Sequence, residues 1–170
     1  MKIVREQRMV IFGVDPGLAS VGWGAVQAGA DGSLSCLGQG CITTAAGEAI
    51  EQRILRIYQQ LKKLTEEYHA DAVSMESLFF AKNVNSALQV SRVCGIVALV
   101  AAEKGMEYAE YTPLQIKQTT SCYGRADKLQ VQKMIALILK MDLKTATSHA
   151  ADALAAAICH AQSRRLTRVC

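Results

Sequence analysis

Several features that define special classes of protein are missing from this sequence. Only 2 of its 170 residues are proline and 51% are hydrophobic, so extended disorder is not expected. No apolar run approaches the ~20 residues that a membrane span requires. The charged N-terminus is not followed by the apolar core of a signal peptide. We therefore expect a cytoplasmic protein that does not bind a membrane.

Cysteine patterns typical of metal sites are also missing. The six cysteines include no Cys-x-x-Cys pair, and several lie in apolar surroundings, where free cysteine behaves as a small hydrophobic residue. In a reducing compartment, neither zinc nor a disulfide is expected. The net charge of +4 permits nucleic-acid binding but is too small to demonstrate it.

The length of the chain is that of one domain. A chain of 170 residues can bury a substantial core, and it contains no internal repeat and no low-complexity segment. We predict a single domain over residues 9–165, with a short N-terminal tail at 1–8 and a C-terminal tail at 166–170.

Three strands begin the predicted domain, at residues 9–14, 22–28 and 34–43. Short turns separate them, and Asp31-Gly32 is a typical hairpin signal. Strands joined by such short connections must be antiparallel.

Helices and strands alternate in the remainder of the chain. The fourth strand is short and mostly apolar, as a central parallel strand should be. Asp127 is placed to cap a helix, with Gln130 returning the bond. The predicted elements are a helix at 46–68, a strand at 72–75, a helix at 86–104, a strand at 107–111, and helices at 116–119, 128–140 and 148–164.

This order predicts an α/β fold with a mixed five-stranded sheet, three strands antiparallel and the rest parallel, flanked by helices. Asp15 follows the first strand and Glu76 follows the fourth. If these strands are parallel neighbours, their carboxyl ends lie side by side, where open α/β sheets bind ligands. The two acids should therefore meet.

A second pair of candidate ligands lies on the last helix. His149 and Asp152 are three residues apart and so share one helix face. Each candidate alone has an ordinary explanation, such as a turn at Asp15-Pro16-Gly17 or a favourable acid at the start of a helix. Together, Asp15, Glu76, His149 and Asp152 predict one site for one or two divalent ions and a reaction that cuts phosphate esters.

The sequence resembles the RuvC-type Holliday junction resolvases over nearly its whole length, from about residue 9 to 164. The match is specific because several independent motifs agree in order and spacing. The resembling segments are residues 14–18 with 22–24, 75–83 with 85–88, 110–113 with 116–117, 126–132, 150–155 and 158–160.

This resemblance implies an RNase H-like fold and a nuclease that resolves Holliday junctions in recombination and repair. Asp15, Glu76 and Asp152 match the acidic ligands of two Mg²⁺ or Mn²⁺ ions, and Asp15 would bridge the two. His149 matches a position that is aspartate in many members and histidine in some. Cleavage would leave a 5′-phosphate and a 3′-hydroxyl.

The resemblance also implies roles in DNA binding. Lys117 and Lys128 match lysines near the scissile phosphate, and Phe79 matches a residue that stacks on an unpaired base. The helix at 86–104 would form a homodimer that binds a four-way junction, and the RuvA–RuvB branch-migration complex is the expected partner. The remaining candidate DNA-binding residues are Phe80, Lys82, Asn83, Asn85, Tyr123 and Arg125.

Three alternatives remain open at this stage. The same acids serve RNase H-like nucleases with other nucleic-acid substrates. Actin-like and sugar-kinase-like ATPases also place a phosphate loop after an Asp-x-Gly hairpin, although they need two related domains. A DNA-binding module that kept the fold without catalysis is the third, and four candidate ligands argue against it.

Overall fold

A mixed sheet forms the centre of the computed structural model, which describes residues 8–77, 84–121, 127–143 and 146–169, without the side chains of 84–86, 121 and 166–169. Its five strands lie in the order β3-β2-β1-β4-β5. They are β1 (Met9–Asp15), β2 (Ser20–Ala28), β3 (Leu34–Thr43), β4 (Ala72–Glu76) and β5 (Glu107–Tyr111).

The strand directions agree with the prediction from sequence. Strands β1, β2 and β3 are antiparallel neighbours, whereas β4 runs parallel to both β1 and β5. The predicted mixed sheet and the predicted adjacency of the first and fourth strands are therefore confirmed.

Five helices flank the sheet in the described part of the chain. Some bounds differ from the prediction: α1 begins four residues later than expected, α3 is longer, and α5 continues beyond residue 164. The helices are α1 (Ile50–Glu67), α2 (Val84–Lys104), α3 (Pro113–Ser121), α4 (Lys128–Leu139) and α5 (Ser148–Val169).

Local sequence explains where these helices start and stop. The amide of Glu48 donates to the carbonyl of Ala45 in a turn, so α1 starts only at Ile50, where the apolar periodicity begins. Gly105 has a φ of 64° and terminates α2, as glycine commonly does. Asp127 and Gln130 form the predicted reciprocal cap of α4.

The two faces of the sheet carry separate cores. Phe12, Val73 and Met75 face α1 and α2, whereas Ile11 and Ala72 face α3, α4 and α5. Side chains alternate along a strand, so Asp15 shares its face with Ile11. Glu76 shares its face with Ala72 by the same rule. Both candidate acids therefore lie on the face that α5 covers.

Within the described ranges, no helix is long and apolar enough to cross a bilayer.

Candidate active site

Asp15 and His149 are in direct contact. The Nδ1 atom of His149 lies 2.7 Å from Oδ2 of Asp15. The Asp15 side chain is only 19% exposed, whereas that of His149 is 48% exposed. The end of β1 and the first turn of α5 thus form one wall of a partly open site.

Asp152 contacts a lysine from a different helix. Nζ of Lys128 donates to Oδ2 of Asp152 across 2.8 Å, and both side chains are well exposed. Because Lys128 is the first residue of α4, the cap at Asp127 helps to hold the start of this helix near α5. Both residues are predicted from sequence to belong to the site, but their pairing is not.

Glu76 is electrostatically coupled to the same group. Burial raises the pKa of the Glu76 carboxyl above its usual value, and the charges of Asp15 and Asp152 raise it further. The positive charges of Lys117 and Lys128 oppose this shift. Residues that are far apart in sequence are therefore close enough to act on one another.

Asp15 is affected in the same way. Burial raises the pKa of its carboxyl, the hydrogen bond from His149 opposes the shift, and the charge of Asp152 adds to it. A carboxylate that is buried beside like charges is unfavourable unless a cation joins it. This electrostatic state favours a divalent cation among Asp15, Glu76 and Asp152.

The donor atoms suit such an ion. Carboxylate oxygens are the ligands that Mg²⁺ prefers, and an imidazole nitrogen is better suited to Mn²⁺. In the described part of the chain, however, no three acidic, histidine or cysteine side chains are grouped as a ready coordination set. Oxygens of Asp15 and Asp152 are instead bonded to His149 and Lys128.

Two glycines that sequence analysis did not select bring α5 close to the sheet. A Cβ atom at Gly22 would lie 2.1 Å from the carbonyl oxygen of His149, and one at Gly13 would lie 1.9 Å from that of Ala153. No side chain fits at either position. Glycine inside a predicted strand was the available signal, because it often marks a close backbone approach.

The start of α5 is held by a further contact. Oγ1 of Thr147 accepts a hydrogen bond from the amide of Ala150, as an N-cap residue does. The thiol of Cys41 lies 2.8 Å from the same hydroxyl oxygen. Strand β3 therefore helps to fix the turn of α5 that carries His149.

Most of the candidate DNA-binding residues lie outside the part of the chain that the structure describes. Asn85 lies in the first turn of α2, but its side chain is not described. The others are outside the described residues, namely Phe79, Phe80, Lys82, Asn83, Tyr123 and Arg125.

Comparison with known proteins agrees with this fold. The family described as crossover junction endodeoxyribonuclease RuvC matches residues 11–160. A RuvC protein of Ruminiclostridium cellulolyticum is 44% identical over 93% of this chain and 95% of that protein. A RuvC protein of Natranaerobius thermophilus is 44% identical over 93% of this chain and 98% of its own length.

Solved structures lead to the same assignment. The RuvC structure of Thermus thermophilus has a TM-score of 0.87 and 32% identity, and covers 94% of this chain and 97% of that one. The T. thermophilus RuvC in complex with Holliday junction substrate has a TM-score of 0.85 and 30% identity, with coverages of 93% and 96%.

The sheet order and the acids at its edge define an RNase H-like nuclease fold. Within that class, the chain belongs to the RuvC family of crossover junction endodeoxyribonucleases.

Proposed function

We propose that this chain is a metal-dependent endonuclease that resolves Holliday junctions in homologous recombination and DNA repair. Its relatives are crossover junction endodeoxyribonucleases, and the related T. thermophilus protein has been solved with a junction substrate. The observation that carries the proposal is the electrostatic coupling of Asp15, Glu76 and Asp152 at the edge of the sheet.

Asp15, Glu76 and Asp152 are the proposed ligands of two divalent ions, Mg²⁺ or Mn²⁺. Asp15 would be the ligand common to both ions because it ends the central strand, and Glu76 and Asp152 would complete the set. Such ions activate an attacking water and stabilise the leaving oxygen. Cleavage leaves a 5′-phosphate and a 3′-hydroxyl.

His149 is proposed to hold the Asp15 carboxylate and either to complete the ligand set or to orient the attacking water. Its Nδ1 already lies within hydrogen-bond distance of Asp15. An imidazole in place of a carboxylate removes one negative charge and supplies a nitrogen donor. We therefore expect Mn²⁺ to support activity at least as well as Mg²⁺.

Lys117 and Lys128 are proposed to neutralise the phosphate that is cut. Both lysines act electrostatically on Glu76, which supports a position beside the site. A cation that meets the charge developing on a phosphate stabilises the transition state.

The residues that follow β4 in sequence are proposed to read the junction centre. By family resemblance, Phe79 stacks on an unpaired base, an interaction worth ~1–3 kcal/mol. Further DNA contacts are proposed for Phe80, Lys82, Asn83, Asn85, Tyr123 and Arg125.

Two copies of the chain are proposed to act together through α2. Val93, Ile96, Val97 and Val100 bury one face of this helix, while Leu88 and Leu99 remain 55% and 52% exposed. A two-fold dimer would present two sites to two like strands. RuvA–RuvB is the proposed partner complex, and the cytoplasm is the proposed location.

One experiment tests the activity. The purified protein is incubated with a mobile synthetic four-way junction and Mn²⁺ or Mg²⁺, and the cuts are mapped on all four strands. We expect paired symmetric nicks, which Asp15→Asn abolishes. Equally efficient cutting of a linear duplex would contradict the proposed substrate and favour an RNase H-like nuclease of different specificity.

A further inference from the structure

A second concave surface lies at the end of the sheet remote from the acids. It is a cavity of about 600 Å³ whose apolar wall includes Met9, Ile11, Leu34 and Ile138. This volume is within the roughly 300–1,000 Å³ of typical ligand pockets. Met9 and Asp15 are the first and last of the seven residues of β1, and the steps between them, at ~3.3 Å per residue, amount to roughly 20 Å. An occupant here would not block the acids.

The rim of the cavity is positively charged. Lys140, Arg164 and Arg165 line it, and no acidic residue does so in the described part of the chain. Nε of Arg164 lies 3.0 Å from Oε2 of Glu107. The positive charge of Arg165 interacts with the carboxylate of Asp31. No ion pair joins Lys140 to any residue that the structure describes. Among the described rim residues, Lys140 is therefore the cation available to an occupant that carries negative charge.

The apolar surface continues from the cavity along α4. Leu137, which precedes the cavity residue Ile138, is 70% exposed, and Leu129 is 60% exposed. The exposed Lys133 lies between them on the same side of the helix. Eight residues separate the two leucines, about 12 Å along a helix. This surface is longer than a small ligand needs.

The charge of the rim and the apolar surface together indicate which kind of molecule can bind here. The apolar wall and the exposed leucines offer little to the phosphate backbone of nucleic acid, which is bound chiefly by polar and basic groups. The chain's own N-terminal residues contain Lys2 and Arg5 but a single acid, Glu6. They are therefore positively charged, like the rim, and would be repelled by it. In an acidic peptide segment with apolar side chains, the carboxylates can pair with the basic rim and the apolar side chains can pack against the wall.

We propose that the cavity and the exposed side of α4 form a docking site for an acidic, leucine- or phenylalanine-containing segment of a partner protein. One apolar side chain enters the cavity beside Ile138, and carboxylates meet Lys140 and Lys133. This inference does not depend on the proposed nuclease activity.

Fluorescence anisotropy tests the proposal with the full-length protein. The probe is a fluorescein-labelled peptide that repeats the block Glu-Leu-Asp-Phe three times. Two comparison peptides replace either the acids with lysine or the apolar residues with serine. We expect saturable binding of the probe and at least about tenfold weaker binding of both comparison peptides. Absence of binding, or equal binding of the serine peptide, would overturn the proposal.

Surface substitutions locate the binding. Lys140→Glu reverses a rim charge, Ala30→Trp fills the cavity mouth from an exposed turn, and Leu137→Ser removes an exposed leucine. Each should weaken binding about tenfold while junction cleavage stays unchanged. Lys63→Glu, at an exposed position on α1, is the matched control and should bind as the parent does. Full binding by all three variants would place the peptide elsewhere and refute the site.

Discussion

The side chains of the candidate site hold several negative charges close together, which lowers the stability of the folded protein. Asp15 and Glu76 lie partly buried beside Asp152, and burial together with mutual repulsion raises the pKa of the first two. Lys128 and His149 offset part of this repulsion. The folded protein thus retains an electrostatic cost at this edge of the sheet, which a bound cation relieves.

Replacing Glu76 should stabilise the protein in the absence of divalent ions. Its folded pKa lies above the usual 4.5, so the folded state loses stability as the pH rises through that pKa. At pH 7, Glu76→Gln should raise the free energy of unfolding by about 0.5–2 kcal/mol. Well below the usual pKa of 4.5, the carboxyl is protonated in both the folded and the unfolded state, and the difference should vanish.

Urea denaturation with a metal chelator, repeated across this pH range, measures the effect of Glu76→Gln. Glu67→Gln, at an exposed position at the end of α1, serves as the control and should change little. Added Mn²⁺ should stabilise the parent more than Glu76→Gln. If Glu76→Gln were less stable than the parent at neutral pH, repulsion of Glu76 by Asp15 and Asp152 could not be a net cost to folding.

Lys128 should contribute much more to cleavage than to folding. Its pair with Asp152 is largely exposed, and such pairs contribute about 0–1 kcal/mol. A cation that stabilises a transition state contributes about 100-fold or more in rate. Lys128→Ala should therefore slow single-turnover junction cleavage about 100-fold, with a small change in thermal stability. Lys133→Ala, at an exposed position on the same helix, should retain near-parental cleavage.

His149 should set the preference between metals. His149→Asp replaces a nitrogen donor with an oxygen donor and adds a negative charge, which favours Mg²⁺. The ratio of the cleavage rate in Mg²⁺ to that in Mn²⁺ should rise severalfold. His69→Asn changes an exposed histidine remote from the site and should leave the ratio unaltered. An unchanged ratio in His149→Asp would refute the assigned role.

At the scale of secondary structure, the approach of α5 to the sheet positions both His149 and Asp152. Gly13 on β1 and Gly22 on β2 allow the helix backbone to lie against the strands. The six alanines of α5 between residues 150 and 157 are almost fully buried. Small side chains on both elements therefore bring an acid and an imidazole within reach of Asp15.

Gly22→Ala should displace the start of α5. A methyl group there would meet the carbonyl of His149, and overpacking of this kind costs about 1–3 kcal/mol. We expect a matching fall in the free energy of unfolding, together with weaker stabilisation by Mn²⁺ because His149 and Asp152 move away from Asp15. Gly47→Ala meets nothing within 4 Å and should be neutral. If Gly22→Ala and Gly47→Ala lowered the free energy of unfolding equally, the close approach of α5 to Gly22 could not be the cause.

Elements with a strong local pattern could be predicted from sequence. The bounds of β3 and β5 and the cap of α4 were right because alternation, apolar runs and capping residues are local signals. The predicted start of α1 was wrong because alanine favours helix in isolation, whereas the turn from Ala45 to Glu48 is fixed by the folded chain. The end of α5 was placed too early for a similar reason, since apolar periodicity fades near Arg164 while the helix continues.

At the scale of the whole molecule, topology explains the convergence of Asp15 and Glu76, because parallel neighbouring strands end at one edge. The pairing of Lys128 with Asp152 and of His149 with Asp15 could not be predicted from sequence. Both depend on where α4 and α5 pack, and that position depends on contacts across the whole core. Family resemblance supplied the substrate, which the positions of the acids alone do not specify.

Paired cleavage should depend on the exposed side of α2. Leu88, Arg92, Gly95 and Leu99 recur along this helix at spacings of four, three and four residues, which form a seam on a helix. A Cβ atom at Gly95 would meet nothing within 4 Å in the single chain, so a second helix has room to approach. Leu99→Asp would bury a charge at such an interface, which is strongly unfavourable.

We therefore expect Leu99→Asp to shift the protein from the proposed dimer to a monomer in sedimentation velocity. On a supercoiled cruciform plasmid, the variant should make slow, uncoupled single nicks in place of paired nicks. Leu55→Asp introduces the same charge at a leucine of α1 that is 45% exposed, and it should remain dimeric and cut in pairs. Circular dichroism of both variants separates loss of assembly from loss of fold. A folded Leu99→Asp protein that still sediments as a dimer would exclude this side of α2 as the interface, since a charge at its centre could not be tolerated there.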